Sequence, residues 1–259
     1  MHEQIPIFVV SLPDAVQRRA SLMAKLEEYE LSYKILGVDC RDGVPQVFEP
    51  LLCPKSMVKY YGRHLFPAEV GCALSHHMVY RKIRLEGYEA AIVLEDDAII
   101  AKGFAEFARH QPIDPEIDML LLCHAHAHVS MKCPKSLNVA SMAYILKCKS
   151  TVLAVGYLVT KRAVDYFIKN SLPLSMIADW PVDLTEIKTF AAHPQLVSHP
   201  KYEEGAHSYI EHDRSKFLYR FNGRKRQGLQ RILDGTFFKL NYWKWKMEKQ
   251  KRRLYTKIS

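Results

Sequence analysis

An alternation of short apolar runs with helix-like segments limits this chain to a few folds. The apolar runs, which we predict to be strands, are residues 5–12, 33–36, 90–94, 117–122 and 151–160. Helix start and stop residues frame the segments between them, and we predict helices over residues 14–30, 68–86, 103–109 and 161–170. This alternation indicates an α/β domain with a largely parallel sheet. Residues 38–66 follow neither pattern and are predicted to be irregular.

The composition excludes several classes of protein. With 48% hydrophobic residues, the 259-residue chain is too apolar to be mainly disordered. No stretch approaches the roughly 18 apolar residues of a membrane-spanning helix. The first residues lead directly into a predicted strand, so we expect no secretory signal. The six cysteines form no C-x-x-C pair, and we expect them to be reduced and mostly buried, which favours the cytoplasm.

The net charge of +9 is unevenly distributed along the chain. Residues 214–259 carry 15 Lys and Arg against two acids, whereas residues 1–213 carry a small excess of acids. We therefore predict a globular body over residues 1–213 and a basic amphipathic helical tail over residues 214–259. A basic tail favours an anionic partner such as a nucleic acid, an anionic lipid or an acidic protein, although a solvated helical face would have the same composition.

Three consecutive acids, Glu95, Asp96 and Asp97, directly follow the predicted strand 90–94. The carboxyl ends of strands are where open α/β sheets bind ligands. Adjacent carboxylates repel each other, and a hard divalent cation that also binds a substrate phosphate would offset that repulsion. Alternatively, the cluster caps the next helix or is simply solvated.

Histidines and cysteines occur in two further patterns. Glu69, Cys72 and His76 share one face of the helix predicted over 68–86, where a histidine is more often structural than catalytic. The second pattern is the run Cys123-His-Ala-His-Ala-His128, whose three histidines would share one face of a strand. A zinc site there would need a second ligand pair, which the sequence does not provide. One of these histidines, or His193 or His199, remains a possible ligand of a cation at the acid cluster.

Five short motifs in order resemble glycosyltransferase family 25, which includes the bacterial lipooligosaccharide galactosyltransferases. They are residues 7–12 followed by Arg18-Arg19, Glu69-x-x-Cys72-x-x-Ser75-His76, Ile92-Val-Leu-Glu95-Asp96-Asp97, Gly156-Tyr-Leu-Val159, and Pro181-Val-Asp183. Residues 208–214 also resemble the segment that closes the catalytic domain in the β-1,4-galactosyltransferase branch. The resemblance covers residues 5–214.

This resemblance implies a GT-A-type fold, a Rossmann-like nucleotide-sugar domain that takes a UDP-sugar donor with Mn²⁺ or Mg²⁺. It makes the acid cluster the family's Asp-x-Asp element, with Glu95 and Asp96 at the donor and Asp97 on the metal. His128, which fits the family pattern better than its neighbours, and His199 are further candidate metal ligands. Donor-site roles fall to Ser75 and His76, whereas Arg18 and Arg19 either reach phosphate or lie at the surface.

The galactosyltransferases that the chain resembles invert the anomeric centre, which requires one carboxylate base. Asp183 matches the family's Pro-Val-Asp position and is the first candidate, and Asp179 is the second. Asp183 is equally suited to cap a helix predicted over residues 184–190. Trp180 between them suits either an acceptor sugar or the core.

The resemblance leads us to expect transfer of galactose from UDP-galactose to a terminal sugar of a lipooligosaccharide or lipopolysaccharide core. A glucosyltransferase that uses UDP-glucose is the alternative within the same class. A nucleic-acid-binding protein is the alternative from another class, but no RNA-recognition or helix-turn-helix signature is present. We therefore expect no nucleic-acid partner, and we expect the basic tail to hold the enzyme on the cytoplasmic face of the inner membrane.

Overall fold

The computed structural model describes residues 4–109, 113–136 and 144–200, and the backbone of residues 256–258. Its strands are β1 (Ile7–Val10), β2 (Tyr33–Leu36), β3 (Ala90–Glu95), β4 (Ile99–Ile100), β5 (Met119–Leu121), β6 (Ala125–Val129), β7 (Tyr144–Val152), β8 (Gly156–Thr160), β9 (Thr189–His193), β10 (Val197–Ser198) and β11 (Thr256–Ile258). Its helices are α1 (Val16–Glu28), α2 (Pro54–Tyr61), α3 (Pro67–Leu85), α4 (Phe104–Ala108) and α5 (Lys161–Asn170), and 3-10 helices lie at Gln46–Leu51 and Leu184–Glu186.

The central sheet is mixed, with the strand order β11-β6-β7-β9-β5-β8-β3-β1-β2. Strand β1 runs parallel to β2 and β3, and β5 runs parallel to β9, whereas the other pairs of this sheet are antiparallel. The α/β class is therefore confirmed, but the prediction of a largely parallel sheet is wrong. Parallel neighbours need long crossovers, and helix-containing crossovers connect β1 to β2 and β2 to β3, whereas β8 inserts antiparallel between β3 and β5.

Three local predictions are also wrong. Residues 38–66 contain a 3-10 helix and α2 rather than only irregular chain. The strand predicted over 151–160 is interrupted between β7 and β8, where Leu153 has a φ of 75°. The helix predicted over 184–190 is a 3-10 turn followed by β9, because the buried side chains of that segment are paired between β5 and β7. Such pairing overrides local propensity.

The sheet separates two apolar cores. Successive side chains of β1 point to opposite faces, so Ile7 packs with α1 and α4, whereas Phe8 packs with α3 and α5. The same alternation in β3 assigns Leu94 to the first core and Val93 to the second. Helices therefore cover both faces, and the edge formed by the carboxyl ends of β1, β2 and β3 is left as the place for a cleft.

Helix α3 is fixed in position at its first turn. The Glu69 side chain is 1% exposed, accepts hydrogen bonds from both terminal nitrogens of Arg63 at 2.7 and 2.9 Å, and caps the backbone N–H of Phe66 at 2.9 Å. Two residues later, a Cβ on Gly71 would lie 2.9 Å from the carbonyl oxygen of Val38. The absence of a side chain at Gly71 thus lets α3 approach the chain that follows β2.

Most of the predicted tail over residues 214–259 lies outside the described residues, as does the 208–214 motif. Within that tail, Thr256–Ile258 form a strand rather than a helix, and its backbone pairs antiparallel with β6. Among the helices of the described ranges, none is long and apolar enough to cross a membrane.

Replacement of Glu69 by alanine tests the anchor of α3. We expect Glu69→Ala to lower the free energy of unfolding by about 3 kcal/mol, because it leaves the partly buried Arg63 without its carboxylate. The matched control is Glu116→Ala, which removes an exposed pair with Lys188 at 2.8 Å and should cost less than about 1 kcal/mol. Urea unfolding followed by circular dichroism measures both, and equal costs would contradict the anchoring role.

Candidate active site

A cleft opens at the carboxyl ends of the three neighbouring parallel strands β1, β2 and β3. This is the edge at which open α/β sheets bind ligands. Its polar and ionisable lining comes from the residues after these strands, from α1 and α3, and from the segment after β10: Ser11, Arg18, Cys40, Arg41, Cys72, Ser75, Glu95, Asp96, Asp97 and His199.

Arg18 connects the two aspartates that follow β3. Its Nε donates to Oδ1 of Asp96 at 2.5 Å, and its Nη2 donates to Oδ2 of Asp97 at 2.5 Å. Asp96 also accepts a hydrogen bond from the Ser11 hydroxyl at 2.9 Å. Burial raises the pKa of Asp96 in spite of the positive charge of Arg18. Burial likewise opposes the charge on Arg18, but the two carboxylates outweigh it and raise the pKa of Arg18 above its ordinary value.

Asp97 has one paired and one unpaired carboxylate oxygen. Its Oδ2 lies 3.4 Å from Nε2 of His199. Burial would raise the pKa of Asp97, but the hydrogen bond with His199 and the charge of Arg18 outweigh it and lower that pKa. The same hydrogen bond raises the pKa of His199. Oδ1 of Asp97 is buried and has no hydrogen-bond partner among the described residues, so an ionised oxygen is available to a hard cation.

Glu95 is held by a chain of hydrogen bonds that extends into the core. Its Oε1 lies 3.2 Å from Nε2 of His76, and Nδ1 of that imidazole lies 2.7 Å from the hydroxyl of Tyr157. The Tyr157 hydroxyl in turn lies 2.7 Å from that of Tyr80, and both tyrosines are buried. His76 therefore contacts Glu95, a predicted donor-site carboxylate, directly.

The other predicted donor-site residues differ in what they contact. The Ser75 hydroxyl donates to the carbonyl of Gly71 at 2.6 Å and accepts from the N–H of Val38 at 2.8 Å, so it joins α3 to the chain after β2 at the cleft wall. Arg18 lies in the cleft, whereas Arg19 donates to the carbonyls of Leu12 and Pro13 and so stabilises the loop after β1.

The two candidate bases have different surroundings in the structure. Asp179 is half-buried and accepts from the N–H of Ala154 at 3.0 Å. The carbonyl of Val155, the residue after Ala154, accepts from the N–H of Glu95 at 2.8 Å, so Asp179 is bonded to the segment that contacts the acid cluster. Asp183 is exposed, and its side chain caps the 3-10 helix Leu184–Glu186 through the N–H and hydroxyl of Thr185. Neither Asp179 nor Asp183 is among the residues that line the cleft.

Trp180 belongs to the core. Its side chain is buried and makes an edge contact with Tyr157, with ring centroids 5.2 Å apart. Its backbone lies in the left-handed region, at a φ of 63°, between the two candidate bases.

The histidines of the 123–128 run do not share one face, which corrects the sequence prediction. His126 is exposed with a φ of 52°, and register shifts interrupt the pairing of β6 with β7 on both sides of His128. His124 is buried, with Nε2 at 3.1 Å from the carbonyl of Ala192. His128 lies 3.1 Å from the Ser150 hydroxyl, and His193 stacks on Tyr144, so neither lines the cleft. Of the histidines that the sequence offers as metal ligands, His199 is the one in contact with Asp97.

Sequence reasoning missed Ser11, Cys40 and Arg41 as cleft residues. Arg41 pairs with Asp39 and Asp14 at 2.5 and 2.9 Å, so two carboxylates compensate its charge. The signal that identified the acid cluster, a position directly after a strand, could also have identified these three residues. They follow β1 and β2, the neighbours of β3, and the carboxyl ends of parallel strands meet at one edge.

Comparisons with known proteins agree on one family. The sequence model of glycosyltransferase family 25 (LPS biosynthesis protein) matches residues 4–185. Procollagen galactosyltransferase 1 of Danio rerio is 22% identical over 228 residues, which cover 79% of this chain and 37% of that protein. The probable inactive glycosyltransferase 25 family member 3 of Rattus norvegicus is 34% identical over 102 residues, 38% of this chain and 18% of that protein.

The chain therefore spans less than two fifths of the length of these relatives. Among solved structures, a glycosyltransferase involved in the glycosylation of the major capsid of PBCV-1 aligns with 63% of this chain and 63% of its own. The TM-score is 0.29 and the sequence identity 12%, too low a likeness to carry an argument.

The unpaired oxygen of Asp97 predicts a binding site for a hard divalent cation. We expect Mn²⁺ titrated into the protein to lose its free-ion electron paramagnetic resonance signal with one-site stoichiometry. Asp97→Asn should weaken this binding at least tenfold, because it replaces an anionic ligand by a neutral amide. Asp183→Asn makes the same chemical change at an exposed position outside the cleft lining and should leave Mn²⁺ affinity unchanged. Equal affinity in the wild type and Asp97→Asn would exclude this carboxylate as a ligand.

Proposed function

Because the chain belongs to glycosyltransferase family 25, we propose that it transfers a hexose from a UDP-sugar, with UDP-galactose as the donor, to a sugar acceptor. The observation that carries the proposal is the buried, unpaired oxygen of Asp97 in a cleft at the carboxyl ends of three parallel strands. Galactose as the transferred sugar is supported by the relatives named procollagen galactosyltransferases. The family and this arrangement of strands support a GT-A-type nucleotide-sugar domain.

In this proposal the cleft residues have separate roles in binding the donor. Asp97 holds Mn²⁺ or Mg²⁺, and His199, in contact with the same carboxylate, is the candidate for a second ligand. When bound, the cation offsets the negative charge that develops on the leaving UDP. Arg18 keeps the two aspartates side by side, and Glu95 accepts hydrogen bonds from hydroxyls of the donor. His76 orients Glu95 from behind.

We assign the catalytic base to Asp179 rather than Asp183. Inversion in a single displacement needs a carboxylate that takes the proton of the acceptor hydroxyl while its oxygen bonds to the anomeric carbon and the bond to UDP breaks. Asp179 is supported by its position, because it accepts from the N–H of Ala154 and the next carbonyl, that of Val155, accepts from the N–H of Glu95. Asp183 already accepts two hydrogen bonds within its own turn.

The proposed acceptor is a terminal sugar of a lipooligosaccharide or lipopolysaccharide core. Its support is the description of the family as an LPS biosynthesis protein family. Such an acceptor is an anionic glycolipid, and the composition of residues 214–259 suits its surface, with 15 Lys and Arg interleaved with aromatic residues. We therefore also propose that the enzyme works at the cytoplasmic face of the inner membrane.

An assay of sugar release from a panel of UDP-hexoses tests the reaction. We expect divalent-cation-dependent turnover with UDP-galactose, faster than with UDP-glucose, and loss of that turnover in Asp97→Ala. Asp179→Asn should lower kcat for transfer to the acceptor by about 10²–10⁴-fold, the contribution of a general base, with little change in the KM for the donor.

Asp183→Asn is the comparison that separates the two candidate bases. It should retain transfer, and a loss in Asp183→Asn with normal kcat in Asp179→Asn would reverse the assignment. Preference for UDP-glucose would change the donor, and undiminished activity in Asp97→Ala would refute the metal role. Absence of turnover with any UDP-hexose would group the chain with its inactive relatives.

Co-sedimentation with lipid vesicles tests the role of the tail. We expect the full chain to sediment with vesicles containing anionic lipid and to bind neutral vesicles far more weakly. Replacement of Arg224, Lys225 and Arg226 by glutamine should weaken binding roughly 100-fold, because each basic side chain near an anionic surface contributes about 1 kcal/mol.

The matched control replaces three exposed lysines of the body, Lys25, Lys55 and Lys161, by glutamine, with the same loss of charge. This control should sediment like the wild type. Binding that depends neither on the anionic lipid nor on the three tail residues would contradict membrane attachment through the tail.

A further inference from the structure

A second set of metal-ligand side chains lies at the wall of the same cleft. The ligand atoms of Cys72, His76 and Glu95 all lie within 4.8 Å of one another. Cys72 and Glu95 line the cleft, whereas the His76 side chain is 3% exposed. The set combines a sulfur, an imidazole nitrogen and a carboxylate oxygen, unlike the oxygen donor that Asp97 offers.

The backbone holds these three ligands on rigid elements. Cys72 and His76 lie four residues apart, on one face and one turn of α3, and Glu95 ends β3. Two ligands spaced i and i+4 on a helix face a common point, as in helical zinc-binding motifs. Helix α3 is itself fixed at its first turn by Glu69, so the two ligands from the helix and the one from the strand keep their relative positions.

The imidazole already has the outer contact that metal-bound histidines use. Nδ1 of His76 lies 2.7 Å from the Tyr157 hydroxyl, and Nε2 faces Glu95 at 3.2 Å. Metal-bound histidines nearly always direct their second nitrogen to such a partner, which fixes the tautomer. The tautomer with the proton on Nε2 donates to Glu95, whereas the tautomer with the proton on Nδ1 donates to Tyr157, which then donates to Tyr80. In the second tautomer the lone pair of Nε2 is free for a cation.

From this geometry we propose that Cys72, His76 and Glu95 form a site for a thiophilic divalent cation of the zinc class, with its fourth position open to the cleft. Bonds of about 2.0–2.3 Å to sulfur, nitrogen and oxygen place tetrahedral ligand atoms roughly 3–4 Å apart. Small side-chain rotations would therefore bring the three ligand atoms to the spacing of a tetrahedral site. Mg²⁺ and Mn²⁺ prefer oxygen ligands, so the two sites differ in the metal they select.

Binding of a cation at this site releases one proton and changes what Glu95 contacts. The Cys72 thiol loses its proton to solvent as the sulfur binds the cation, and the imidazole keeps one proton, on Nδ1. Glu95 then coordinates the cation and is no longer available to the donor hydroxyls. Zinc should therefore inhibit the Mn²⁺-dependent transfer, and this consequence alone rests on the proposed function.

Cobalt substitution tests the site without any assay of activity. Co²⁺ added to the full chain should produce a thiolate-to-cobalt charge-transfer band and the visible bands of a tetrahedral ion, and Zn²⁺ should displace it. Cys72→Ser should abolish the charge-transfer band, whereas the control Cys133→Ser, at an exposed cysteine outside the cleft lining, should keep it. Asp97→Asn should also keep it, since that carboxylate belongs to the other site.

A second variant tests the outer contact. Tyr157→Phe keeps the ring but removes the hydroxyl, and it should weaken Zn²⁺ affinity about 10–100-fold, as for other outer-contact changes at metal sites. Circular dichroism melting establishes that each variant is folded, and a variant that does not fold is replaced by Glu95→Gln. A charge-transfer band that survives Cys72→Ser, or its absence from the wild type, would overturn the site. If the band appears as described but no UDP-hexose is turned over, the site stands and the proposed function fails.

Discussion

The pairing of Arg18 with Asp96 and Asp97 is the interaction on which the cleft depends. Two adjacent, largely buried carboxylates at the end of β3 would repel each other, and one guanidinium pairs with one oxygen of each. That guanidinium comes from the first turns of α1, so the pairing requires α1 to start beside the end of β3. The parallel pairing of β1 with β3 provides this arrangement, because α1 follows β1 directly.

The charge balance of the cleft leaves a place for a cation. Glu95, Asp96 and Asp97 face Arg18, and His199 adds positive charge only when it is protonated. In the proposed function a UDP-sugar brings two more negative charges to this edge of the sheet, and a divalent cation offsets them. The buried Oδ1 of Asp97 is the atom at which such a cation gains most, because it is ionised and has no competing donor among the described residues. Cation and donor should therefore bind cooperatively.

Sequence reasoning located the acid cluster and its helical neighbours because those inferences depend on local spacing. Three acids at the end of a buried strand identify a sheet edge, and Ser75 and His76 share a helix that packs on that edge. Neighbouring strands are decided by tertiary pairing, so the antiparallel insertion of β8 and the strand character of β9 could not be predicted. For the same reason Ser11 and Arg41 were missed, since each enters the cleft from a different strand end.

Helix α3 explains why two kinds of ligand meet in one cleft. Its buried Glu69 fixes the first turn, Gly71 lets the backbone approach the chain after β2, and Ser75 bonds across that contact. Cys72 and His76 are then presented to Glu95 by the same helical face. Glu95 is thus shared between the two proposals: it faces the proposed donor beside the aspartates or joins the sulfur and nitrogen ligands of the proposed second site. Because borderline metals outcompete Mn²⁺ at mixed nitrogen and sulfur sites, the state of Glu95 would follow the availability of zinc.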